Sequence, residues 1–218
     1  MNRELIVTED GSHSLFVKDL GETFHSKHGA IQESVHVYIK NGLQYIDKEA
    51  ISVLEFGFGT GLNALLTFEY AQLHHKEINY ETIEAYPLQP QEYELLNYSD
   101  LLRSNLSLQT LHELPFNEEV EVAKNFRFLK HLSKIEDFNS DKSFDIIYYD
   151  VFGYDFQSEL WSENILEKAY RLLKPDGILV TYACKSIVNK RLKQIGFNIK
   201  KLAGPPGKRE MTFAVKKI

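Results

Sequence analysis

Apolar and polar positions alternate along this chain with two different periods, and the switches between them mark out its elements. Residues 4–18 alternate every second position on both sides of Asp10-Gly11, which predicts a hairpin with strands at 5–8 and 14–17. Residues 29–40 carry Ile31, Val35 and Ile39 at helical spacing, and Asn41-Gly42 ends that stretch. From residue 51 short apolar runs alternate with amphipathic stretches. Strands are predicted at 51–55, 79–85, 125–129, 144–149 and 178–182, and helices at 62–73, 90–98, 159–173 and 186–195. Pro87 stops the second of these strands, and Pro175-Asp176-Gly177 turns into the fifth. Residues 101–121 show no clear period. The chain closes on runs at 197–202 and 211–215, joined through Gly204-Pro205-Pro206-Gly207. That link is too short for a parallel crossover, so the last two strands must form an antiparallel hairpin. The expected fold is α/β: a mostly parallel sheet with helices on both faces and a C-terminal antiparallel hairpin. An N-terminal hairpin and helix, residues 1–45, would precede the sheet domain at 46–218.

The first central strand runs through Val53 and Leu54 to Glu55 and is followed by Gly57-Phe58-Gly59-Thr60-Gly61-Leu62-Asn63. A strand, a glycine-rich turn and a helix N-terminus form a cradle for a nucleoside cofactor, because glycine lets a ligand reach the backbone without meeting a Cβ. A tight structural turn is the plainer reading of the same residues. The glycine register separates two cofactors. Dinucleotide sites carry G-x-G-x-x-G, whereas here Leu62 falls where that third glycine would stand. The G-x-G-x-G order behind Glu55 resembles motif I of class I methyltransferases, whose Rossmann-like fold holds S-adenosylmethionine. On that reading Glu55, Gly57, Phe58, Gly59, Thr60, Gly61 and Asn63 belong to the cofactor site.

In open α/β sheets ligands bind beyond the carboxyl ends of the strands. Glu84 falls at such an end, where a carboxylate accepts from both hydroxyls of a ribose; a solvent-facing glutamate at a strand edge is the alternative. Asp150 follows the apolar run Ile146-Ile147-Tyr148-Tyr149. A carboxylate there, among aromatic neighbours, would be partly desolvated and could orient or deprotonate an amine nucleophile. The alternative is an Asp that caps a strand-to-loop turn. The eight histidines show no spacing that predicts a metal site. The lone Cys184 reads as a small buried residue and Trp161 as a helix-to-sheet packing residue.

Composition changes the picture in one respect. A hydrophobic content of 43% and a charged content of 26% are those of an ordinary globular domain. No apolar run approaches the roughly 20 residues of a bilayer span, and the N-terminus has no signal-peptide core, so a cytoplasmic protein without a membrane partner is expected. The net charge of −6 is unevenly spread: residues 185–218 hold ten Lys or Arg and one acid, +9, against −15 for the remainder. Such asymmetry points to an anionic partner at the basic end, or to protective lysines on edge strands.

Several segments together resemble one family. Asp10-Gly11-Ser12, Gly21 through Ser26 and Gly29-Ala30 through Glu33-Ser34 are similar to an N-terminal signature. Phe56 through Asn63 is similar to a cofactor loop, and Asp150-Val151-Phe152 with Leu160-Trp161 to a D-x-F…W segment. Lys190-Arg191-Leu192, Gly196-Phe197, Gly204 and Gly207-Lys208-Arg209-Glu210-Met211 are similar to a rare ending. Together they resemble the methyltransferase half of the bacterial enzyme that makes 5-methylaminomethyl-2-thiouridine in tRNA, the MnmC type with its stand-alone MnmD-like relatives. The resemblance implies N-methylation of 5-aminomethyluridine at the tRNA wobble position, with S-adenosylmethionine as donor. By position, Asp150 would meet the substrate amine, Glu84 would hold the ribose, and Gly57, Gly59 and Gly61 would line the cofactor. Lys208 and Arg209 would sit near RNA or order the loop facing it, Lys185 and Arg191 would add basic charge, and Phe152 or Tyr154 would stack on an anticodon base. The flavin-dependent half has no room in 218 residues, so no flavin is expected; the histidine spacing leads to no metal being expected either, and the chain is expected to be a monomer or a weak homo-oligomer. Two departures stand out. Where the family usually places an acid after the third strand, this chain reads Leu129-Lys130-His131-Leu132-Ser133, which shifts the adenine-end contact toward Glu136 or Asp137. The proline-containing stretch after the strand-four Asp becomes Gly153-Tyr154-Asp155-Phe156. A methyltransferase for another amine, on a small molecule or a protein, and a non-catalytic RNA-binding relative are the other readings.

Overall fold

The computed structural model describes residues 2–217. An eight-stranded sheet runs in the order β10-β11-β9-β8-β4-β5-β7-β6. Its strands are β4 (Ala50–Phe56), β5 (Glu77–Glu84), β6 (Glu119–Ala123), β7 (Phe126–Leu132), β8 (Phe144–Tyr149), β9 (Leu173–Thr181), β10 (Phe197–Ala203) and β11 (Glu210–Lys216). The five strands from β9 to β7 are parallel, and β11, β10 and β6 are antiparallel to their neighbours. Every residue of β8 is buried, as a central parallel strand covered on both faces requires. Successive side chains point to opposite faces. Val53, Ile146 and Tyr148 therefore join one apolar cluster and Leu54, Ile147 and Tyr149 the other.

One face is covered by α2 (Leu62–His74), by α5 (Leu108–Glu113) and by α1 (Ala30–Ser34), which widens into a π-type turn at Val35–Lys40. The other is covered by α6 (Glu163–Leu172) and α7 (Ser186–Ile195). A three-stranded antiparallel sheet of β1 (Arg3–Val7), β2 (His13–Val17) and β3 (Glu22–Thr23) stands apart from the large one. Its Leu15, together with Val37, Tyr38 and Leu43, is buried in the same cluster as Val53 and Leu65. Among the described residues no helix is long and apolar enough to cross a membrane.

The fold class and the closing hairpin are as the sequence predicts, with differences at element ends. The helix expected at 90–98 breaks into α3 (Pro90–Tyr93) and α4 (Tyr98–Leu102). Between them Asn97 turns its side chain to the N-terminal hairpin, accepting from His13 N at 2.8 Å and donating to Gly11 O at 3.0 Å. The unreadable stretch 101–121 contains α5 and the edge strand β6. The helix expected at 159–173 begins as a 3-10 turn, Ser158–Trp161, and its last residue already starts β9. Asp176, at φ 59, kinks that strand where a separate turn is expected. Most consequential for the site, β7 runs on through Leu132 rather than stopping near Leu129.

The order of the sheet decides where a ligand goes. From β4 the chain winds outward through β5 to β7, then returns to β8 on the other side of β4. The carboxyl ends of β4 and β8 therefore flank a topological switch point, where a crevice opens.

Candidate active site at the carboxyl ends of β4, β5 and β8

A cavity of about 300 Å³ occupies that crevice. Gly57, Phe58, Gly59, Thr60 and Asn63 from the loop and helix start, Glu84 from β5, and Asp150 and Phe152 after β8 all line it. Gly57 and Gly59 have φ of +92° and +52°, values that L side chains rarely adopt. A Cβ on Gly57 would stand 2.7 Å from Asp150 O, so the close approach of the two strand ends depends on glycine there.

Two backbone amides converge on the Glu84 carboxylate: Gly59 N donates to Oε2 at 2.9 Å and Tyr86 N to Oε1 at 2.7 Å. Glu84 thus fixes the loop conformation while remaining on the cavity wall. Thr60 is buried, its carbonyl accepting from His112 Nε2 at 3.0 Å and its hydroxyl 3.4 Å from His25 Nε2. Burial holds the His25 and His112 rings down at about 4, so both are neutral packing partners of the loop near pH 7.

Asp150 lines the cavity with its carboxylate held by two side chains. Tyr38 OH donates to its Oδ1 at 2.6 Å and Asn63 Nδ2 to its Oδ2 at 2.7 Å. Burial pushes the Asp150 carboxyl up to about 6, against the lowering effect of those two hydrogen bonds. The result is a carboxylate at neutral pH whose proton affinity suits accepting a proton from an amine. Behind it Asn63 Nδ2 also donates to Glu55 Oε1 at 3.0 Å, and Thr82 Oγ1 contacts Glu55 Oε2 at 2.9 Å. Glu55 is fully buried and does not line the cavity; nor does Gly61, which holds the left-handed turn into α2.

The residues expected to face RNA separate in space. Phe152 lines the cavity, its ring edge-to-face with Phe24 at 5.2 Å. Tyr154, Lys185, Arg191, Lys208 and Arg209 do not line it. Lys185 pairs with Asp155. Arg191 donates to Trp161 O at 2.8 Å and lies over the Tyr154 ring at 5.5 Å. Lys208 pairs with buried Glu33 and lies 3.9 Å over the ring of Tyr182, a cavity residue. It thereby ties the 204–209 loop to the N-terminal helix, while Arg209 is exposed.

The two residues that depart from the family pattern are also accounted for. Lys130 and His131 lie within β7. Lys130 Nζ donates to His112 O at 2.6 Å, and His131 Nε2 pairs with Glu81 at 2.7 Å. Neither touches the cavity, whose rim beyond β7 is Ser133, Lys134, Ile135 and Glu136; Asp137 is not part of it.

Sequence reasoning did not single out Tyr38, Phe24, His25 or Tyr182. Phe24 and His25 lie in the Gly21–Ser26 segment that carries the family resemblance, which was the available signal. Tyr38 lies in the π-type turn, where the helical period that would mark its face is interrupted.

A family profile described as S-adenosyl-L-methionine-dependent methyltransferase matches residues 93–217. The tRNA 5-methylaminomethyl-2-thiouridine biosynthesis bifunctional protein MnmC of Marinomonas sp. is 27% identical over 94% of this chain and 32% of its own length. The protein of the same name from Cupriavidus necator is 26% identical over 88% of this chain and 31% of its own length. The chain thus spans about a third of the length of these curated relatives. Among solved structures, MNMC2 from Aquifex aeolicus superposes with a TM-score of 0.79 at 23% identity, covering 99% of this chain and 70% of that one, a likeness of fold.

Proposed function

The chain belongs to the S-adenosyl-L-methionine-dependent methyltransferase family, and from that premise we propose that it N-methylates the 5-aminomethyl group of wobble uridine in tRNA. The observation that carries this reading is Asp150: a carboxylate on the cavity wall, beside the glycine loop, held by Tyr38 and Asn63. The tRNA-modifying names of the relatives supply the substrate class.

The residues present fit the donor. Gly57 and Gly59 bare their backbone to the cavity, Glu84 keeps acceptor capacity beyond the two amides it binds, and Glu136 stands on the rim beyond β7. On this reading Glu84 holds the ribose and Glu136 the adenine end. S-adenosylmethionine supplies an electrophilic sulfonium methyl. The protein's contribution is to orient the amine and take its proton, since methyl transfer gains mainly from positioning and electrostatics. An ammonium has no lone pair to attack with. Asp150 accepts the surplus proton at Oδ1 or Oδ2, and the Tyr38 and Asn63 donors keep the carboxylate aimed while it does so. Phe152 and Phe24 offer flat apolar surface to a base turned out of its stack. A protein acting on tRNA in this way works in the cytoplasm.

A second reading, methylation of an amine on a small molecule or a protein, is favoured by one observation: Lys185, Arg191 and Lys208 are engaged within the chain and stand off the cavity wall. Methyl transfer to tRNA from cells that accumulate 5-aminomethyluridine, read by nucleoside mass spectrometry, separates the two. Conversion to 5-methylaminomethyluridine is expected. An unchanged nucleoside profile beside an active control enzyme defeats the tRNA reading.

A further inference from the structure

Two carboxylates, Glu55 and Asp150, share one amide. Asn63 Nδ2 has two hydrogens and gives one to Glu55 Oε1 at 3.0 Å and the other to Asp150 Oδ2 at 2.7 Å. This contact also fixes the orientation of the amide, because the flipped form would set its oxygen against both carboxylates. Among the described residues neither carboxylate is in a salt bridge, and Lys208, itself paired with Glu33, acts on Asp150 only through space. Among the described residues no cation acts on Glu55: Tyr80 and Thr82 face it from β5, Tyr148 from β8, Asn63 from α2, and Asp150 lies beyond the amide.

A fully buried carboxylate without a cation is strongly disfavoured as an anion, and a second negative charge across a single amide disfavours it further. The two sites differ in what supports a charge. Each has two side-chain hydrogen-bond partners, Tyr38 and Asn63 for Asp150 and Thr82 and Asn63 for Glu55, but Asp150 opens onto the cavity whereas Glu55 is sealed in the sheet at 0% exposure. The geometry points to Glu55 as a positioning residue that keeps its proton, so that the single negative charge of the Glu55–Asn63–Asp150 chain rests on Asp150. Burial, then the charge of Asp150, drives the Glu55 carboxyl up to about 8, in the same direction. The acid ahead of the glycine loop then serves the nucleophile's side of the reaction: it anchors Asn63 without competing for the substrate proton. The role of Asp150 in this inference rests on the methyl-transfer reading; the protonation of Glu55 does not.

Four forms of the full chain test it: wild type, Glu55→Gln, Glu55→Ala and Asp150→Asn. The Gln side chain keeps an acceptor for Asn63 and a donor toward Thr82, matching a protonated glutamate, whereas Ala leaves Asn63 unanchored. Infrared spectroscopy at pH 7 should show a protonated-carboxyl C=O band in the wild type that persists in Asp150→Asn and disappears in Glu55→Gln. In turnover, Glu55→Ala should lower kcat about tenfold or more, because an unanchored Asn63 loses its hydrogen bond to the charged Asp150, and Glu55→Gln should recover most of that loss. A wild-type spectrum without a Glu55-dependent band overturns the inference, as does Glu55→Gln being as impaired as Glu55→Ala. Should the wild type methylate neither tRNA nor any amine while the band is present, the functional reading falls and the assignment of the proton to Glu55 stands.

Discussion

Tyr38 donates a 2.6 Å hydrogen bond to Asp150 across 112 residues of sequence. The phenol comes from the N-terminal helix and the carboxylate from the end of the central strand β8, so the N-terminal segment completes the site as well as covering the sheet. Burial raises the Asp150 carboxyl and the Tyr38 bond opposes that rise. Removing the hydroxyl in Tyr38→Phe should therefore raise the proton affinity of Asp150 further. A hydrogen bond to a charged group is worth roughly 1.5–3 kcal/mol, so the acid limb of the kcat profile should move up by about one pH unit or more. A profile superimposable on the wild type would remove Tyr38 from the control of Asp150.

Asp150→Asn should lower kcat by about two to four orders of magnitude, the usual worth of a general base. S-adenosylmethionine affinity, read by calorimetry, should stay close to wild type. The same variant carries a stability signature with a definite sign. A carboxyl that titrates at about 6 in the folded chain and near 4 when unfolded binds more protons in the folded state across that window. Its contribution therefore becomes less favourable as pH rises from about 4 to about 6, by something on the order of 3 kcal/mol, and the full cost remains at neutral pH. Urea unfolding should show Asp150→Asn gaining on the wild type between pH 4 and pH 7. A difference in midpoint that stays constant with pH counts against a partly buried, raised carboxyl.

Legibility from sequence followed the physics of each segment. The central strands read clearly because burial on both faces leaves continuous apolar runs such as Ile146 to Tyr149, and the glycine loop read clearly because its φ values demand glycine. The end of β7 did not, because Lys130 occupies an inward position in the strand. Its chain is buried and its charge is satisfied by the His112 carbonyl at the end of α5. A lysine there reads as the end of a strand, and it drew attention to a departure that lies away from the cavity. Glu55 differs in another way: its place in the motif is that of a cofactor residue, while its side chain turns into the sheet toward Thr82 and Asn63, a direction that the motif alone does not give. Tyr38 required the tertiary fold, since nothing local joins a helix residue to a strand end so distant in sequence.

At the opposite end of the sheet Asp145 gathers Lys48 at 2.5 Å, Lys174 at 2.8 Å and both the amide and hydroxyl of Ser52. Burial alone would raise this carboxyl, whose side chain is 2% exposed, but the bonds from Lys174, Lys48 and Ser52 outweigh it and hold the group at about 2. A lowered carboxyl contributes stability above its unfolded value near 4 and loses it as pH falls toward 2. Asp145→Asn should cost roughly 2 kcal/mol at pH 7, with little effect on donor binding, and the cost should shrink as the pH is lowered below about 4. Equal cost at pH 7 and pH 3 contradicts the assignment.

The basic ending separates into a structural lysine and an exposed arginine. Lys208 neutralises Glu33, whose side chain is 7% exposed and whose other oxygen accepts from Ser26 N at 2.7 Å. Truncating it in Lys208→Ala leaves a buried, unpaired carboxylate, a change that typically costs about 3–5 kcal/mol. The partly exposed lysine, its side chain 31% exposed, and its contact with the Tyr182 ring place this pair toward the lower end of that range. Adding Glu33→Gln should restore part of the loss, giving a coupling energy of about 1 kcal/mol or more in a double-mutant cycle. Arg209→Ala, on the exposed neighbour, should leave the thermal midpoint within about a degree, because surface changes fall within about 0.5 kcal/mol. On the tRNA reading the division carries through to binding. Arg209→Ala should reduce the slope of log affinity against log salt by about one, whereas Lys208→Ala with Glu33→Gln should leave that slope close to wild type. The reverse pattern, a salt slope that follows Lys208 and ignores Arg209, contradicts the ion pair as the resting place of the Lys208 charge.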